Sequence, residues 1–143
     1  MFSVLIKADK DFALDLRVVK RKAKEVLGRY FEKRDKVELS VVFVDEAESH
    51  RFNLRLRKKD EPVSILTFSL QEQTGQEFKF NSSPDGVLRL GDIVICPAVM
   101  NRKRLTLEEI LEHGIKSLFF RIPTTANQRF GNKRSPRSII KDF

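Results

Sequence analysis

The segment "TLEEILEHGIKSLFFRIP", residues 106–123, places one histidine and one serine four positions apart in a stretch with helical spacing of apolar residues. Residues four apart on a helix lie side by side on one face, so the His113 imidazole and the Ser117 hydroxyl should be neighbours at the edge of the apolar stripe. An imidazole at this position can serve as a metal ligand. A lone histidine beside an apolar face is more often a hydrogen-bonded core residue, and the sequence leaves both interpretations open.

Few other side chains in the sequence could complete a metal site or act as a nucleophile. The second histidine, His50, lies near the middle of another predicted helix, and Cys96 is the only cysteine. A single cysteine excludes an internal disulfide and a multi-cysteine zinc motif, and it suits a reducing compartment. We interpret Cys96 as a small apolar strand residue rather than a nucleophile.

An excess of positive charge is the main compositional indication of function. The 143 residues carry 28 Lys and Arg against 20 Asp and Glu, a formal net charge of +8. Such a surplus attracts polyanions, because cationic side chains release counterions from a nucleic-acid backbone.

Length and composition predict one globular domain, since 41% of the residues are hydrophobic and 34% are charged. No apolar run approaches the roughly 20 residues that cross a bilayer, and the N-terminus lacks the apolar region of a signal peptide. We therefore expect a cytoplasmic protein that does not bind membranes.

Apolar periodicity predicts the elements of the first half. "FSVLIK" forms a strand, and an amphipathic helix with a basic solvent face follows from about Asp15 to Arg34. "VELSVVFV" predicts a strand in the sheet interior. Asp45 and Glu48 then have the spacing of a capping box, which begins a helix that runs to about Leu56.

The second half predicts two strands and a helix. "SILTFSL" and "GVLRLGDIVIC" are strands that could form a hairpin with a long connection. Thr106 and Glu109 form a second capping-box spacing ahead of the helix that carries His113, and Pro123 ends that helix. We expect one domain over residues 1–122 and a basic, partly disordered tail over residues 123–143.

Two segments resemble the YbeY-type endoribonuclease family of rRNA maturation factors. In "FNLRLRKKDEPVSILTFSL" the residues that match the family's pattern are Phe52, Asn53, Arg57, Lys59, Asp60, Pro62, Ile65, Leu66, Thr67 and Phe68. The segment "LGDIVIC", residues 90–96, resembles a second strand of the family and also precedes a helix with His-Gly. The resemblance covers roughly residues 1–120 and implies an α+β fold, with a single zincin-like domain in which a mixed β-sheet packs with helices.

The family's signature H-G-x-L-H-L-x-G-Y-D-H supplies three histidines as ligands of a metal, zinc. Here His113 and Gly114 match, whereas the second histidine position is Ser117 and the third is Pro123. A hydroxyl is a poor zinc ligand, and a catalytic zinc normally takes three protein ligands plus a water. The resemblance therefore implies that His113 is a vestigial ligand and that no cofactor is bound. Zinc would require replacement ligands, for which the candidates are Asp92, Cys96 and Glu112.

The resemblance also implies a role for Arg57. In the family this arginine lines the cleft and contacts RNA or the reacting phosphate, which suits a guanidinium that binds phosphate oxygens bidentately. The alternative is structural: Asp60 pairs with Lys59 or Arg57, or it caps the turn before Pro62. The RNA contacts that we expect are Lys20, Arg21, Lys24, Arg57, Lys59, Arg129, Lys133, Arg134 and Arg137.

These features favour a YbeY-like ribosome-biogenesis protein that binds rRNA or a pre-ribosomal small subunit and whose hydrolytic centre is degenerate. Small-subunit ribosomal proteins and an Era-type GTPase are partners implied by the same resemblance. Two alternatives stay open. One is an active metal-dependent endoribonuclease with non-standard ligands, in which Arg57 and His113 are catalytic, and the other is a protein-interaction module without an RNA role.

Overall fold

Four strands and four helices form the part of the chain that the computed structural model describes, residues 1–71 and 86–122. In chain order they are β1 (Phe2–Ala8), α1 (Leu16–Leu27), β2 (Val37–Phe43), α2 (Glu46–Arg57), β3 (Ile65–Ser69), β4 (Leu88–Ile95), α3 (Pro97–Arg102) and α4 (Leu107–Phe119). The strands build one sheet in the order β1-β2-β4-β3, in which β1, β2 and β4 are parallel and β3 is antiparallel to β4. The mixed sheet with its helices confirms the predicted α+β class.

The two faces of the sheet are covered by different helices. Side chains on a strand alternate between faces, and Leu39 and Val41 of β2 point to the face that packs against α1 and α4. Val42 and Val94 point to the opposite face, where a smaller cluster includes Phe52 of α2. The helices α1 and α4 therefore lie on one face of the sheet and α2 lies on the other.

The position of β2 confirms the prediction of an interior strand. It pairs with β1 on one side and β4 on the other, and its alternate residues from Val37 to Phe43 are at most 1% exposed. The strands β3 and β4 also pair antiparallel as predicted. Most of their expected long connection, residues 72–85, lies outside the described residues.

The helix α1 is shorter than its sequence predicts. It begins after Asp15, whose side chain accepts a hydrogen bond from the Arg17 amide, but it ends at Leu27 instead of near Arg34. Gly28 follows, and glycine is a poor helix former. The chain then tightens into a turn in which the Tyr30 amide donates to the Leu27 carbonyl at 3.0 Å. Apolar spacing was misleading here because the turn buries Tyr30 as completely as a helix would.

The predicted starts of α2 and α4 are confirmed. The Asp45 side chain accepts a hydrogen bond from the Glu48 amide, and the Thr106 and Glu109 pair forms both hydrogen bonds of a capping box. The six-residue helix α3 was not predicted, because it is too short to show helical periodicity. Pro97 at its first turn is its one local signal.

A glycine allows the close approach of β3 to β4. Gly91 has a φ of 142°, and a Cβ atom at this position would lie 2.2 Å from the Phe68 carbonyl oxygen. Only glycine adopts this backbone conformation without strain. The local register shift between Glu38 and Leu39 of β2 faces the same point of β4. The glycine in "LGDIVIC" thus has a structural reason.

Candidate functional site

Packing against the sheet fixes the helix that carries His113 and Ser117. Ile110, Gly114 and Leu118 face the core, and Ile110 and Leu118 are 0% exposed. A Cβ atom on Gly114 would lie 2.8 Å from the Ile93 Cδ1 atom, so this glycine lets α4 lie close to β4. The backbone around His113 is therefore held in one position relative to the sheet.

A hydrogen-bonded network also ties α4 to the end of α1. The buried Tyr30 hydroxyl donates to Glu112 Oε1 at 2.7 Å, and Arg29 donates to Glu112 Oε2 at 3.1 Å and also to Glu108. The hydrogen bond from Arg29 lowers the pKa of the Glu108 carboxyl below its ordinary value. Glu112, a candidate replacement ligand for zinc, is engaged by two donors in this network.

His113 and Ser117, which lie four residues apart on α4, have different surroundings. Ser117 Oγ lies 3.4 Å from Thr67 Oγ1 of β3, so the two hydroxyls form a weak hydrogen bond at the edge of the sheet. His113 reaches the surface, but partial burial of its ring lowers its pKa, and the positive charge of Lys116 lowers it further. Both effects favour the neutral form of the imidazole.

The donor set on this face does not fit a zinc ion. It offers one imidazole and one hydroxyl, and the third position, Pro123, lies outside the described residues. Within residues 1–71 and 86–122, no group of three His, Cys, Asp or Glu side chains is placed to hold a metal. Cys96 is buried in the cluster on the far face of the sheet, and Asp92 follows the same alternation away from α4.

The segment after α2 is fastened to that helix by side chains one turn apart. The Ser49 hydroxyl donates to the Val63 carbonyl at 2.7 Å and accepts from the Val63 amide at 2.9 Å. Asn53 Nδ2 donates to the Glu61 carbonyl at 2.8 Å. These hydrogen bonds hold residues 58–63 beside α2 in one conformation.

Asp60 has a different partner from those that its sequence suggested. Its Oδ1 atom lies 2.6 Å from His50 Nε2, and no ion pair with Arg57 or Lys59 is found among the described residues. Of the alternatives that the sequence left open, the pairing of Asp60 with these cations is therefore not observed. Helical geometry explains the observed pair, because His50 lies on the side of α2 along which the segment returns.

The C-terminal end of α2, the segment after it and α3 together form a basic pocket of about 350 Å³. We call it the α2–α3 pocket, and its lining residues are Asn53, Arg57, Lys59, Glu61, Pro62, Val63, Val99, Arg102 and Lys103. Arg102 also forms an ion pair with Glu46, which raises the arginine's already high pKa. The structure thus places Arg57 and Lys59 in one pocket and adds two cations from α3.

Arg102 and Lys103 were missed by the sequence reasoning. They belong to the basic run "NRKR", residues 101–104, which was a local signal that could have found them. Their proximity to Arg57 depends on the packing of α3 beside α2 and has no signature in the sequence.

A second basic region lies on the other side of the sheet. The exposed face of α1 carries a shallow depression lined by Arg17, Lys20, Arg21, Lys24 and Glu25, which we call the α1 surface. Lys20, Arg21 and Lys24 are exposed, as the amphipathic pattern predicts. Glu25 is the one carboxylate in this lining, and its Oε1 atom lies 4.0 Å from Arg21 Nε. At this distance and exposure it neutralises the Arg21 charge only weakly.

Two expectations about site residues stay predictions. Arg57 and His113 would both be catalytic in the endoribonuclease alternative, but His113 is not among the residues that line the α2–α3 pocket, and α4 and α2 lie on opposite faces of the sheet. A common site for the two residues therefore stays a prediction. The predicted RNA contacts in the tail, Arg129, Lys133, Arg134 and Arg137, lie outside the described residues.

The comparison with protein families identifies the class of this protein. The family model described as Endoribonuclease YbeY matches residues 5–120. The chain therefore belongs to the YbeY endoribonuclease family, and the resemblance of the two motifs is confirmed.

Individual relatives match part of this region. The chain is 32% identical over 78 residues to Endoribonuclease YbeY of Lactobacillus gasseri and 35% identical over 82 residues to that of Lactobacillus helveticus. The matches cover 53% and 56% of this chain and 45% of each relative. The chain thus matches about half the length of these curated relatives.

Among solved structures, the chain is similar to the solution structure of TM1509 from Thermotoga maritima. The match has a TM-score of 0.48 and 24% identity, and it covers 80% of this chain and 71% of that one. Separately, no helix in the described part of the chain is long and apolar enough to cross a membrane.

Proposed function

We propose that this protein acts in ribosome biogenesis by binding rRNA or a pre-ribosomal small subunit, and that its own hydrolytic centre is degenerate. The observation that carries the RNA-binding part is the α2–α3 pocket, in which four cationic side chains face one lining carboxylate. Membership of the YbeY family supports an RNA partner, since the relatives are named as endoribonucleases.

The α1 surface supports the same proposal. This surface has four cationic side chains and one carboxylate. The cations project from α1, whose opposite face is buried in the core. Solvation alone does not require charges of one sign on the same face. Phosphate contacts from Lys20, Arg21 and Lys24, together with the tail, would bind RNA without reading its sequence.

The degenerate centre is supported by the chemistry of the donors on α4. The hydroxyl of Ser117 interacts with Thr67, and the candidate ligand Glu112 is held by Tyr30 and Arg29. The domain would then bind RNA through its basic surfaces without activating water at His113. We also propose that the chain forms one domain over residues 1–122 followed by a basic tail, and that it is cytoplasmic. Its proposed partners include small-subunit ribosomal proteins and an Era-type GTPase.

The salt dependence of RNA binding tests the proposal. Phosphate contacts release counterions, so log affinity for single-stranded RNA should fall linearly with log salt, with a slope of roughly −0.7 per contact. The triple variant Lys20→Gln, Arg21→Gln and Lys24→Gln should bind more weakly with a smaller slope. A flat salt dependence in the native protein would reject RNA binding and favour the protein-interaction module.

Elemental analysis distinguishes the proposal from an active metalloenzyme. The purified protein should contain no stoichiometric zinc, because one imidazole and one hydroxyl do not supply three ligands. The variant Ser117→His should remain without zinc and without nuclease activity. Equimolar zinc that survives dialysis and is lost in His113→Ala would instead establish the endoribonuclease with non-standard ligands.

A further inference from the structure

We propose that two copies of this chain associate through the outer edge of β1, by pairing their β1 strands antiparallel so that the two sheets join into one. The strand β1 ends the sheet order β1-β2-β4-β3, and within residues 1–71 and 86–122 it pairs with β2 alone. The partner is a second copy and β1 carries none of the proposed RNA contacts, so this association goes beyond the proposed function.

The backbone groups on the outer edge of β1 are available for a further strand. The Val37 amide donates to the Met1 carbonyl at 3.1 Å, and alternate residues of a strand in a parallel pair bond to the same neighbour. The odd-numbered residues of β1 therefore bond to β2, and the amides and carbonyls of the even-numbered residues point outward. The register with β2 is continuous, and β1 contains no proline. A bulge or a proline commonly protects an exposed edge, and β1 has only one charge, Lys7, in that role.

The sequence of β1 is suited to pairing with itself about a two-fold axis at Leu5. Val4 then lies opposite Ile6 of the second copy, in a pair of β-branched residues that exchange backbone hydrogen bonds. Leu5 lies opposite Leu5 of the second copy, which covers an apolar side chain that is 48% exposed. Since this axis is perpendicular to the sheet, the helices α1 and α4 of both copies lie on the same face of the joined sheet.

The charges on the opposite face, which α2 covers in part, favour the same pairing. Ser3 pairs with Glu38 and Lys7 pairs with Val42 in the register of β1 with β2, so these side chains share one face of the sheet. The axis at Leu5 places Lys7 of one copy directly opposite Ser3 of the other. Because serine is small, the lysine can extend across it toward Glu38, a partly exposed carboxylate. Two symmetric ion pairs between Lys7 and Glu38 would then connect the copies.

Other registers of the same two strands lack this match. An axis at Val4 places Lys7 opposite Met1, and an axis at Ile6 places Lys7 opposite Leu5. Each shift also leaves residues at one end of both strands unpaired. The formal charge of +8 on each copy opposes association, so we expect a weak dimer that forms as the protein concentration rises.

Sedimentation velocity without RNA tests the association, with the 143-residue protein from about 1 μM to about 1 mM, the range of weak affinities. The mass of the native protein should rise from 16.6 kDa to about twice that value. Leu5→Glu places two carboxylates opposite each other at the axis and should stay monomeric throughout. The matched control is Leu54→Glu on α2, where the leucine is 46% exposed, and it should associate as the native protein does.

Charge reversal tests the register. Lys7→Glu faces Glu38 of the second copy and should raise the dissociation constant of the dimer about tenfold. Adding Glu38→Lys to Lys7→Glu reverses both ion pairs and should restore most of the affinity. The control Lys59→Glu changes an exposed lysine beyond α2 by the same charge and should leave the constant unchanged. Circular dichroism establishes that each variant is folded.

A native protein with the monomer mass at every concentration would overturn the proposal. A dimer that persists in Leu5→Glu would overturn it as well, because such a dimer uses another surface. Loss of affinity in Lys7→Glu without recovery in the double variant would overturn the register centred on Leu5. No RNA is present in these measurements, so their failure leaves the proposed RNA binding intact, and the failure of RNA binding leaves the dimer intact.

Discussion

The α4 face around His113 and the α2–α3 pocket match the YbeY pattern in different respects. On α4, His113 and Gly114 match the motif, and the helix is well supported by a full capping box at Thr106 and by the close approach of Gly114 to the sheet, but Ser117 offers a hydroxyl where the motif has its second histidine. In the pocket the cation Arg57 matches and α3 adds two more. The residues that support a site are therefore different from those that supply its reactive groups.

The two regions also differ in what stabilises them. The α4 face belongs to the main core, with an ion-pair network of Arg29, Glu108 and Glu112 above it. The pocket is built on the smaller cluster and on hydrogen bonds from Ser49 and Asn53. We therefore expect substitutions under the α4 face to change the stability of the domain, and charge substitutions in the pocket to change binding.

The largest expected effect comes from Gly91 of β4, at the point where β4 pairs with β3. Gly91→Ala would place a Cβ atom 2.2 Å from the Phe68 carbonyl oxygen, and the backbone there cannot relax without breaking the pairing of β3 with β4. We expect a loss of about 3 kcal/mol or more in the free energy of unfolding, measured by urea denaturation.

The matched control is Gly86→Ala. Gly86 also has a positive φ, 67°, but an added Cβ atom meets nothing within 4 Å. Only the left-handed backbone conformation is then unfavourable, at about 1 kcal/mol. Equal losses in the two variants would show that the contact with Phe68 is unimportant and that β3 is not held by Gly91.

A smaller effect is expected in the network above α4. Tyr30→Phe removes the hydroxyl that donates to Glu112 at 2.7 Å and leaves the buried ring in place. A hydrogen bond to a carboxylate contributes about 1 to 2 kcal/mol, which should appear as the decrease in unfolding free energy. RNA affinity should be unchanged in folded protein. A loss of RNA affinity without loss of stability would contradict the separation of the two regions.

The smallest effect concerns the protonation of His113. Its pKa is lower in the folded protein than its ordinary value of 6.5, so the unfolded chain takes up the proton first as pH falls. The stability is therefore greatest above pH 6.5 and decreases from there down to the folded-state pKa. His113→Gln should remove this component, on the order of a few tenths of a kcal/mol because the side chain reaches solvent.

Denaturant titrations of the native protein and of His113→Gln at pH 7.5 and pH 5 measure this component. The native protein should lose more stability between the two pH values than the variant does. A greater loss in the variant would mean that His113 is stabilised in its charged form, as it would be beside a carboxylate.

The sequence predicted those parts of the fold that depend on local residues. Asp45 and Thr106 marked the starts of α2 and α4 because a cap is a contact between residues three positions apart. The end of α1 was predicted incorrectly, because Tyr30 keeps helical spacing while it packs from a turn. Apolar spacing reports burial, and a short turn can bury a side chain as well as a helix can.

The candidate site was predicted only where a motif identified it. Arg57 and Lys59 came from the family pattern, whereas Arg102 and Lys103 reach the pocket through the packing of α3, which has no local signature of that contact. The His50 partner of Asp60 was missed for a similar reason, because the pair depends on how the segment after α2 returns along the helix.

The most direct test is one gel with an end-labelled single-stranded rRNA fragment, zinc and a saturating amount of the 143-residue protein at low salt. Bound and free RNA are separated on one half, and the same samples are denatured on the other to reveal cleavage. We expect a retarded complex that contains intact RNA, and the same result with His113→Ala. Cleavage that disappears in His113→Ala, or the absence of any complex, would contradict it.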